Sequence, residues 1–135
     1  MPVTVYLDTS FLMLSAKFHT DILSEAERLV QKKVQFLVPA SVHKELTDLS
    51  RDAGRSGRDA RVALQLIDQR GIRIVAAGER ICADDALLRA SELPRVVVAT
   101  ADHRLRRRIR AAQRPVIFLR EKAKLELEGI EAAYW

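Results

Sequence analysis

The sequence has a single cysteine, Cys82, so no disulfide can form within the chain and the fold must rest on its core. No apolar stretch approaches the roughly 20 residues that a membrane-spanning helix needs. The first apolar run is interrupted by Asp8, so it does not read as a signal peptide. Together these absences lead to the expectation of a cytoplasmic protein with no membrane association. Asparagine is missing altogether while arginine is abundant, the usage of a heat-adapted protein. There is no internal repeat and no low-complexity linker, so residues 1–135 read as one domain, large enough to bury a core. The three histidines, His19, His43 and His103, share no metal-ligand spacing. Cys82 itself reads as a small buried thiol ahead of a helix.

What the chain does have is charge on a globular background: 48% hydrophobic residues, 30% charged, and a net charge of +5. An excess of cations suits a polyanion partner. It is concentrated in HRLRRRIRAAQR (103–114), which holds Arg104, Arg106, Arg107, Arg108, Arg110 and Arg114.

Apolar runs alternate with helical patterns along the chain. Strands are expected at VTVYL (3–7), VQFLV (34–38), IRIV (72–75), RVVVAT (95–100) and PVIFL (115–119). Helices are expected after Asp8 through Phe11–Leu14, at 20–33 with Thr20 as cap, and at 41–51, 61–70, 83–93 and 102–113. DAGRSGRD (52–59) reads as a loop, and the charged segment from 120 to the end as a helix or tail. Five short apolar strands separated by helices predict a parallel sheet covered on both faces. In such folds ligands bind beyond the carboxyl ends of the strands, where strand order reverses.

Asp8 and Asp102 fall at two of those carboxyl ends. Glu45 lies in PASVHKEL, after the second strand, and Asp84 and Asp85 lie in ADDALL, in the first turn of a helix. Singly, most of these acids would be caps or solvated groups; Asp84 in particular suits a cap. Asp8 is different, because a carboxylate ending a central strand needs a partner. Acids converging on one cleft repel one another and call for a divalent cation, and hard oxygen ligands without His or Cys favour Mg²⁺ or Mn²⁺. A phosphoacceptor receiver domain would need an acidic pair after strand one and an Asp after strand three, where this chain has one Asp and AAG. A haloacid-type phosphatase would need a second Asp at position 10, where Ser10 stands.

LDTSFL, PASVHKEL, ADDALL and VVVATADHRLRRRI, in this order and spacing, resemble the four motifs of PIN-domain ribonucleases over nearly the whole chain. Within that superfamily the stretch from ADDALL to PVIFL is similar to the small-subunit rRNA processome nuclease and its archaeal relatives, more than to VapC toxins. The resemblance implies a three-layer α/β/α PIN-like domain with a five-stranded parallel sheet in the order 3-2-1-4-5. It implies a divalent-metal-dependent endoribonuclease that leaves 5′-phosphate and 3′-hydroxyl ends, working in rRNA processing. Asp8, Glu45, Asp85 and Asp102 match the family's acidic metal-binding positions, Asp85 being preferred to Asp84 for the Ala86-Leu87-Leu88 that follows it. Ser10 and Thr100 match hydroxyl positions that support the acids, with Asp84 beside them; His103 receives no role.

The implied partners are RNA, an rRNA precursor above all, with homodimers frequent in the family and ribosome-assembly proteins in attendance. The alternatives are a VapC-like toxin neutralised by an antitoxin, or a PIN scaffold that binds RNA without cutting it. In the helix after Asp102, Leu105, Ile109 and Ala112 form the expected buried stripe. That leaves Arg104, Arg106, Arg107, Arg108 and Arg110 as the expected RNA-binding set, with Arg106, Arg107 and Arg110 foremost.

Overall fold

The computed structural model describes residues 2–18, 21–76, 81–120 and 124–130. In chain order the elements are β1 (Val3–Leu7), α1 (Thr9–Phe18), α2 (Ile22–Val30), β2 (Val34–Pro39), α3 (Ala40–Leu49) and α4 (Arg55–Gln69). They continue with β3 (Arg73–Val75), α5 (Ala83–Ala90), β4 (Val96–Thr100), α6 (His103–Ala111), β5 (Val116–Arg120) and β6 (Lys124–Glu128). One six-stranded sheet runs in the order β3-β2-β1-β4-β5-β6. The first five strands are parallel and β6 pairs antiparallel with β5. With α1, α3 and α4 packed together and α5 packed on α6, the chain forms a three-layer α/β/α fold.

The two strands that matter most are the two most buried. Every residue of β4 is buried, and in β1 every residue but Thr4. Such continuous β-branched and aliphatic runs suit strands covered on both faces. They lie side by side, Leu7 opposite Ala99, and the order of the chain reverses between them. The carboxyl ends of β1 and β4 therefore form the switch-point crevice. On the way out of β4, Leu105 and Ile109 are fully buried and seat α6, each contributing about 1.5–3 kcal/mol by burial.

Several local expectations are corrected. The segment from 120 does not finish as a helix or tail in its described part: Lys124–Glu128 is a sixth strand. KLELE alternates apolar and charged residues, and Leu125 is buried against the core, which is strand periodicity. α4 begins at Arg55, inside the expected loop. Gly57 allows this, since a Cβ there would lie 1.9 Å from the Asp52 carbonyl oxygen, so the first turn of α4 packs directly on the preceding turn. α2 is capped by Asp21, whose carboxylate accepts from the Ser24 backbone N–H and hydroxyl at 3.1 and 2.7 Å; Thr20 and His19 lie outside the described residues. Cys82 is exposed rather than buried, because it occupies the N-cap of α5 ahead of the first buried position, Ala83. Ala112 is exposed as the C-cap of α6 and leaves Leu105 and Ile109 to form the stripe. No helix among the described residues is long and apolar enough to cross a membrane.

Candidate active site

At the end of β1 the backbone N–H of Asp8 still belongs to the sheet, donating to Ala99 O at 3.0 Å, while its carboxylate is buried beyond the last rung. Three donors surround that carboxylate. The Thr9 N–H gives to Oδ1 at 2.8 Å, and the hydroxyls of Ser10 and Thr100 give to Oδ2 at 2.8 and 2.7 Å. A hydroxyl has one proton, so both hydroxyls are then left as acceptors. They are used that way. Ser10 Oγ accepts from the Ala101 N–H and Thr100 Oγ1 from the Asp102 N–H, each at 3.0 Å. The network ties the carboxyl end of β1 to that of β4 and sets the backbone from which Asp102 projects.

Asp102 is the N-cap of α6, its Oδ1 accepting from the Arg104 and Leu105 N–H groups at 2.8 and 3.3 Å. This satisfies otherwise unpaired helix N–H groups, and it is the role a lone Asp there would be given. Capping engages Oδ1 and leaves Oδ2 for other work.

The two acids of α5 are separated by one residue and about 100° of helix rotation, and they meet different surroundings. The charge of Asp84 acts on Asp8, and that of Asp102 acts on Asp84. Asp85 instead accepts from Arg108 Nη2 at 2.8 Å and from the Cys82 side chain. The motif resemblance prefers Asp85 to Asp84 as the family acid; in the structure the charge of Asp84 acts on Asp8 and that of Asp102 on Asp84, while Asp85 pairs with Arg108. Glu45 is exposed on α3, whose packing partners include α5. No hydrogen bond or ion pair of the Glu45 carboxylate occurs among the described residues.

The proton affinities follow from these surroundings. Burial pushes Asp8 above the usual carboxylate range, against the lowering effect of the Thr100 and Ser10 hydrogen bonds, with the Asp84 charge adding to the rise. Asp84 is also raised, by burial first and the Asp102 charge second, with Arg108 opposing. Asp85 moves the other way, its charge favoured chiefly by the Arg108 hydrogen bond.

At the switch point Asp84 repels Asp8 and Asp102 repels Asp84, and carboxylates placed so have the chemistry of a divalent-cation site. Among the described residues, no three His, Cys, Asp or Glu side chains stand close enough together to enclose an ion. The donor set itself, hard carboxylate oxygens without His or Cys, is of the kind that suits Mg²⁺, which keeps most of its waters and binds through one or two carboxylates plus substrate phosphate. Two buried hydroxyl oxygens without a partner among the described residues, Thr9 Oγ1 and Ser41 Oγ, lie two residues past the ends of β1 and β2. Polar atoms of this kind are usually completed by water or an ion. Sequence reading passed over both, and a hydroxyl just past a strand end was the available signal.

The arginines of α6 do not act as one set. Arg106 donates to both oxygens of Glu128 on β6, Nε to Oε1 at 3.2 Å and Nη2 to Oε2 at 3.1 Å, and stacks 3.4 Å from the centroid of the Phe118 ring. Arg110 lies 3.7 Å from the same carboxylate and donates to Arg114 O at 3.0 Å. Two of the three arginines expected to lead RNA contact are thus engaged by the protein itself. Arg104 and Arg107 are exposed and form no ion pair among the described residues, and His103 is exposed beside them.

A family model described as a PIN like domain matches residues 5–122. Ribonuclease VapC4 of Methanocaldococcus jannaschii is 28% identical over 125 residues, covering 91% of this chain and 95% of that protein. Among solved structures, the PIN domain endonuclease Utp24 superposes with a TM-score of 0.79 at 23% identity, over 96% of this chain and 93% of that one. A domain of a functionally unknown protein from M. jannaschii gives 0.65 at 19% identity, over 96% and 99% of the two chains. VapBC-1 from nontypeable Haemophilus influenzae gives 0.50 at 15% identity, over 80% and 93%.

Proposed function

Because the chain belongs to the PIN-like domain family, we propose that it is an endoribonuclease that hydrolyses RNA phosphodiesters with Mg²⁺ or Mn²⁺ in the crevice at the ends of β1 and β4. One observation carries this reading: the Asp84 charge acts on the buried Asp8 and the Asp102 charge acts on Asp84, at the switch point where Thr100 ties the Asp8 carboxylate to the end of β4. Keeping such a cluster ionised without a cation is unfavourable, so its retention points to a site for one. The name of the M. jannaschii relative, a ribonuclease, supports RNA as the substrate.

Asp8 Oδ1, which among the described residues accepts only the Thr9 N–H, and Asp102 Oδ2, free of the α6 cap, are the oxygens we assign to a metal. In this reading Asp84, whose charge acts on Asp8, and Glu45, exposed on α3 where that helix packs on α5, supply the further carboxylates of the site. A divalent cation held there supplies an acidified water and takes up negative charge as the phosphodiester bond breaks. The protein's part is positioning. Ser10 and Thr100 hold Asp8 Oδ2 inward and keep the carboxylate from rotating, while the Asp102 cap fixes the second acid to α6. Arg104, Arg107 and Arg108 remain for RNA phosphate, which they would position without reading sequence. Arg106 and Arg110 serve the fold first.

The resemblance of the stretch from ADDALL to PVIFL to the small-subunit rRNA processome nuclease supports a precursor rRNA as the target, with ribosome-assembly proteins as neighbours. A toxin neutralised by an antitoxin is the second reading, favoured by the near full-length match to VapC4. The test is cleavage of end-labelled single-stranded RNA. Wild type should cut with Mg²⁺ or Mn²⁺ and leave 5′-phosphate ends, whereas Asp8→Asn and Asp102→Asn should each lose the activity while remaining folded. Full cleavage in excess chelator would refute the metal-dependent reading. Mapping rRNA ends in cells that lack the protein separates the two biological roles, since altered precursor ends are expected of a processing enzyme only.

A further inference from the structure

Asp85 and Arg108 pair beside the acidic crevice; the reading above leaves Arg108 to RNA phosphate in general terms and gives Asp85 no role. Their ion pair is single-armed, with one Nη2 donor on one Asp85 oxygen at 2.8 Å. A guanidinium has five N–H donors in a rigid fork, so four have no hydrogen-bond partner among the described residues. The Arg108 side chain is 39% exposed, enough for a ligand to reach them. It is also close enough to the cluster for its charge to act on Asp84.

The rest of α6 shows why this arginine differs from its neighbours. Leu105 and Ile109 anchor the helix in the core, and Arg106 and Arg110 are drawn to Glu128. Arg108, on another face of the helix, is drawn to α5. Asp102 and the Ser10–Thr100 network fix the start of the same helix. The position of the Arg108 guanidinium is thereby set from two sides, by its helix and by Asp85.

A phosphodiester entering this crevice meets three carboxylates, and that repulsion must be offset by cationic groups at the rim. We propose that Arg108 is a substrate-binding residue that takes a non-bridging oxygen of the RNA phosphate presented to the acids, and that Asp85 is a positioning residue that aims it. The inference rests on the reading of the crevice as an RNA-hydrolysing site. It gives Asp85 a role distinct from that of Asp84 one position earlier: Asp84 belongs to the acidic cluster, and Asp85 orients the cation beside it. The ordinary alternative is a surface ion pair with no ligand, of the same kind as Arg28–Glu25 on α2, which has an equally short 2.7 Å contact far along the chain from the acids.

The experiment uses the full chain and a fluorescent single-stranded RNA oligonucleotide, with binding measured in chelator across a salt series and cleavage measured separately with Mn²⁺. Arg108→Gln should weaken binding and flatten the log–log salt slope by about 0.7 for one lost phosphate contact. Arg28→Gln should leave the slope unchanged. Arg108→Lys should keep the slope, since the charge remains, and lower kcat, since the fork geometry is lost. Asp85→Asn should lower kcat without raising KM, because it removes aim rather than charge attraction. The exchanged pair, Asp85→Arg with Arg108→Asp, should recover thermal stability and recover neither binding nor cleavage. If Arg108→Gln leaves the slope unchanged, or matches the response of Arg28→Gln, or if the exchanged pair restores binding, the assignment is overturned. A wild type that binds RNA and does not cut it would refute the hydrolytic reading alone, and the salt slopes would still decide whether Arg108 holds phosphate.

Discussion

On one flank of α6, Arg106 and Arg110 converge on Glu128 and Arg106 lies over the Phe118 ring; on the other, Arg108 reaches to Asp85, with Arg104 one turn earlier in the open. The residues are of the same type, on the same nine-residue helix. What separates them is what each flank faces. Toward β6 the partner is a carboxylate about one-third exposed, backed by an aromatic ring, so the guanidinium is bidentate and stacked. Toward α5 the partner is a half-exposed carboxylate at the lip of the crevice, and donors are left over. The first flank closes the antiparallel edge of the sheet onto the helix, and the second leaves cations beside acids. A run of arginines is thus two surfaces, structural and functional.

The comparison breaks most visibly on the structural flank. Phe118→Ala should cost about 3–5 kcal/mol, the range for emptying a buried aromatic site, since Phe118 is 5% exposed and also carries the Arg106 stack. Urea denaturation measures it, and a loss under about 1 kcal/mol would mean that this side of α6 is not clamped. On the functional flank, Asp84→Asn should lower RNA cleavage by about 10²-fold, the scale for one preorganised electrostatic group, while leaving stability unchanged or improved. Equal cleavage losses and equal stability changes for Asp84→Asn and Asp85→Asn would erase the distinction drawn between the two acids. Arg106→Gln comes next, at about 1–2 kcal/mol after discounting a partly exposed pair, with the RNA salt slope unaltered. A flattened slope in that variant would show that Arg106 leaves Glu128 to meet RNA.

Much of this was legible in the sequence, and the reason is periodicity. VTVYL and RVVVAT are too apolar and β-branched to be anything but central strands, and a carboxylate at the end of each stands out against such runs. Strand order and the hydroxyl positions Ser10 and Thr100 came instead from the resemblance of the four motifs, taken together, to PIN-domain ribonucleases. What escaped depends on angles that composition does not encode. Asp84 and Asp85 differ by one step of a helix, and the step that faces β1 is fixed only once α5 is docked. The arginine run likewise has no preferred flank until β6 brings Glu128 beside it. β6 was missed because KLELE is charged enough to read as a helix or tail, and its alternation matters only with β5 available to pair.

The smallest effect is also the one with the most definite sign. Burial, then the Asp84 charge, raises Asp8 in the folded protein above its ordinary 3.8, despite the hydrogen bonds from Thr100, Ser10 and Thr9. Between 3.8 and the higher folded value, the native state therefore holds a proton that the unfolded chain has released. Stability from this group then falls as pH rises across that window, and the penalty is fully present above it. Asp8→Asn removes the titration but not the geometry. An amide can offer its oxygen to the two hydroxyls or to the Thr9 N–H, not to both, so the variant also loses about one hydrogen bond at every pH, roughly 1 kcal/mol. The difference in unfolding free energy between Asp8→Asn and wild type, measured without divalent cations, should thus move in the variant's favour as pH climbs from 3 toward 7, from a constant offset. Added Mg²⁺ or Mn²⁺ at pH 7 should reverse the order by stabilising wild type alone. A difference that stays flat with pH, or that slopes the other way, would mean that Asp8 carries its charge without strain and that the crevice has no need of a cation.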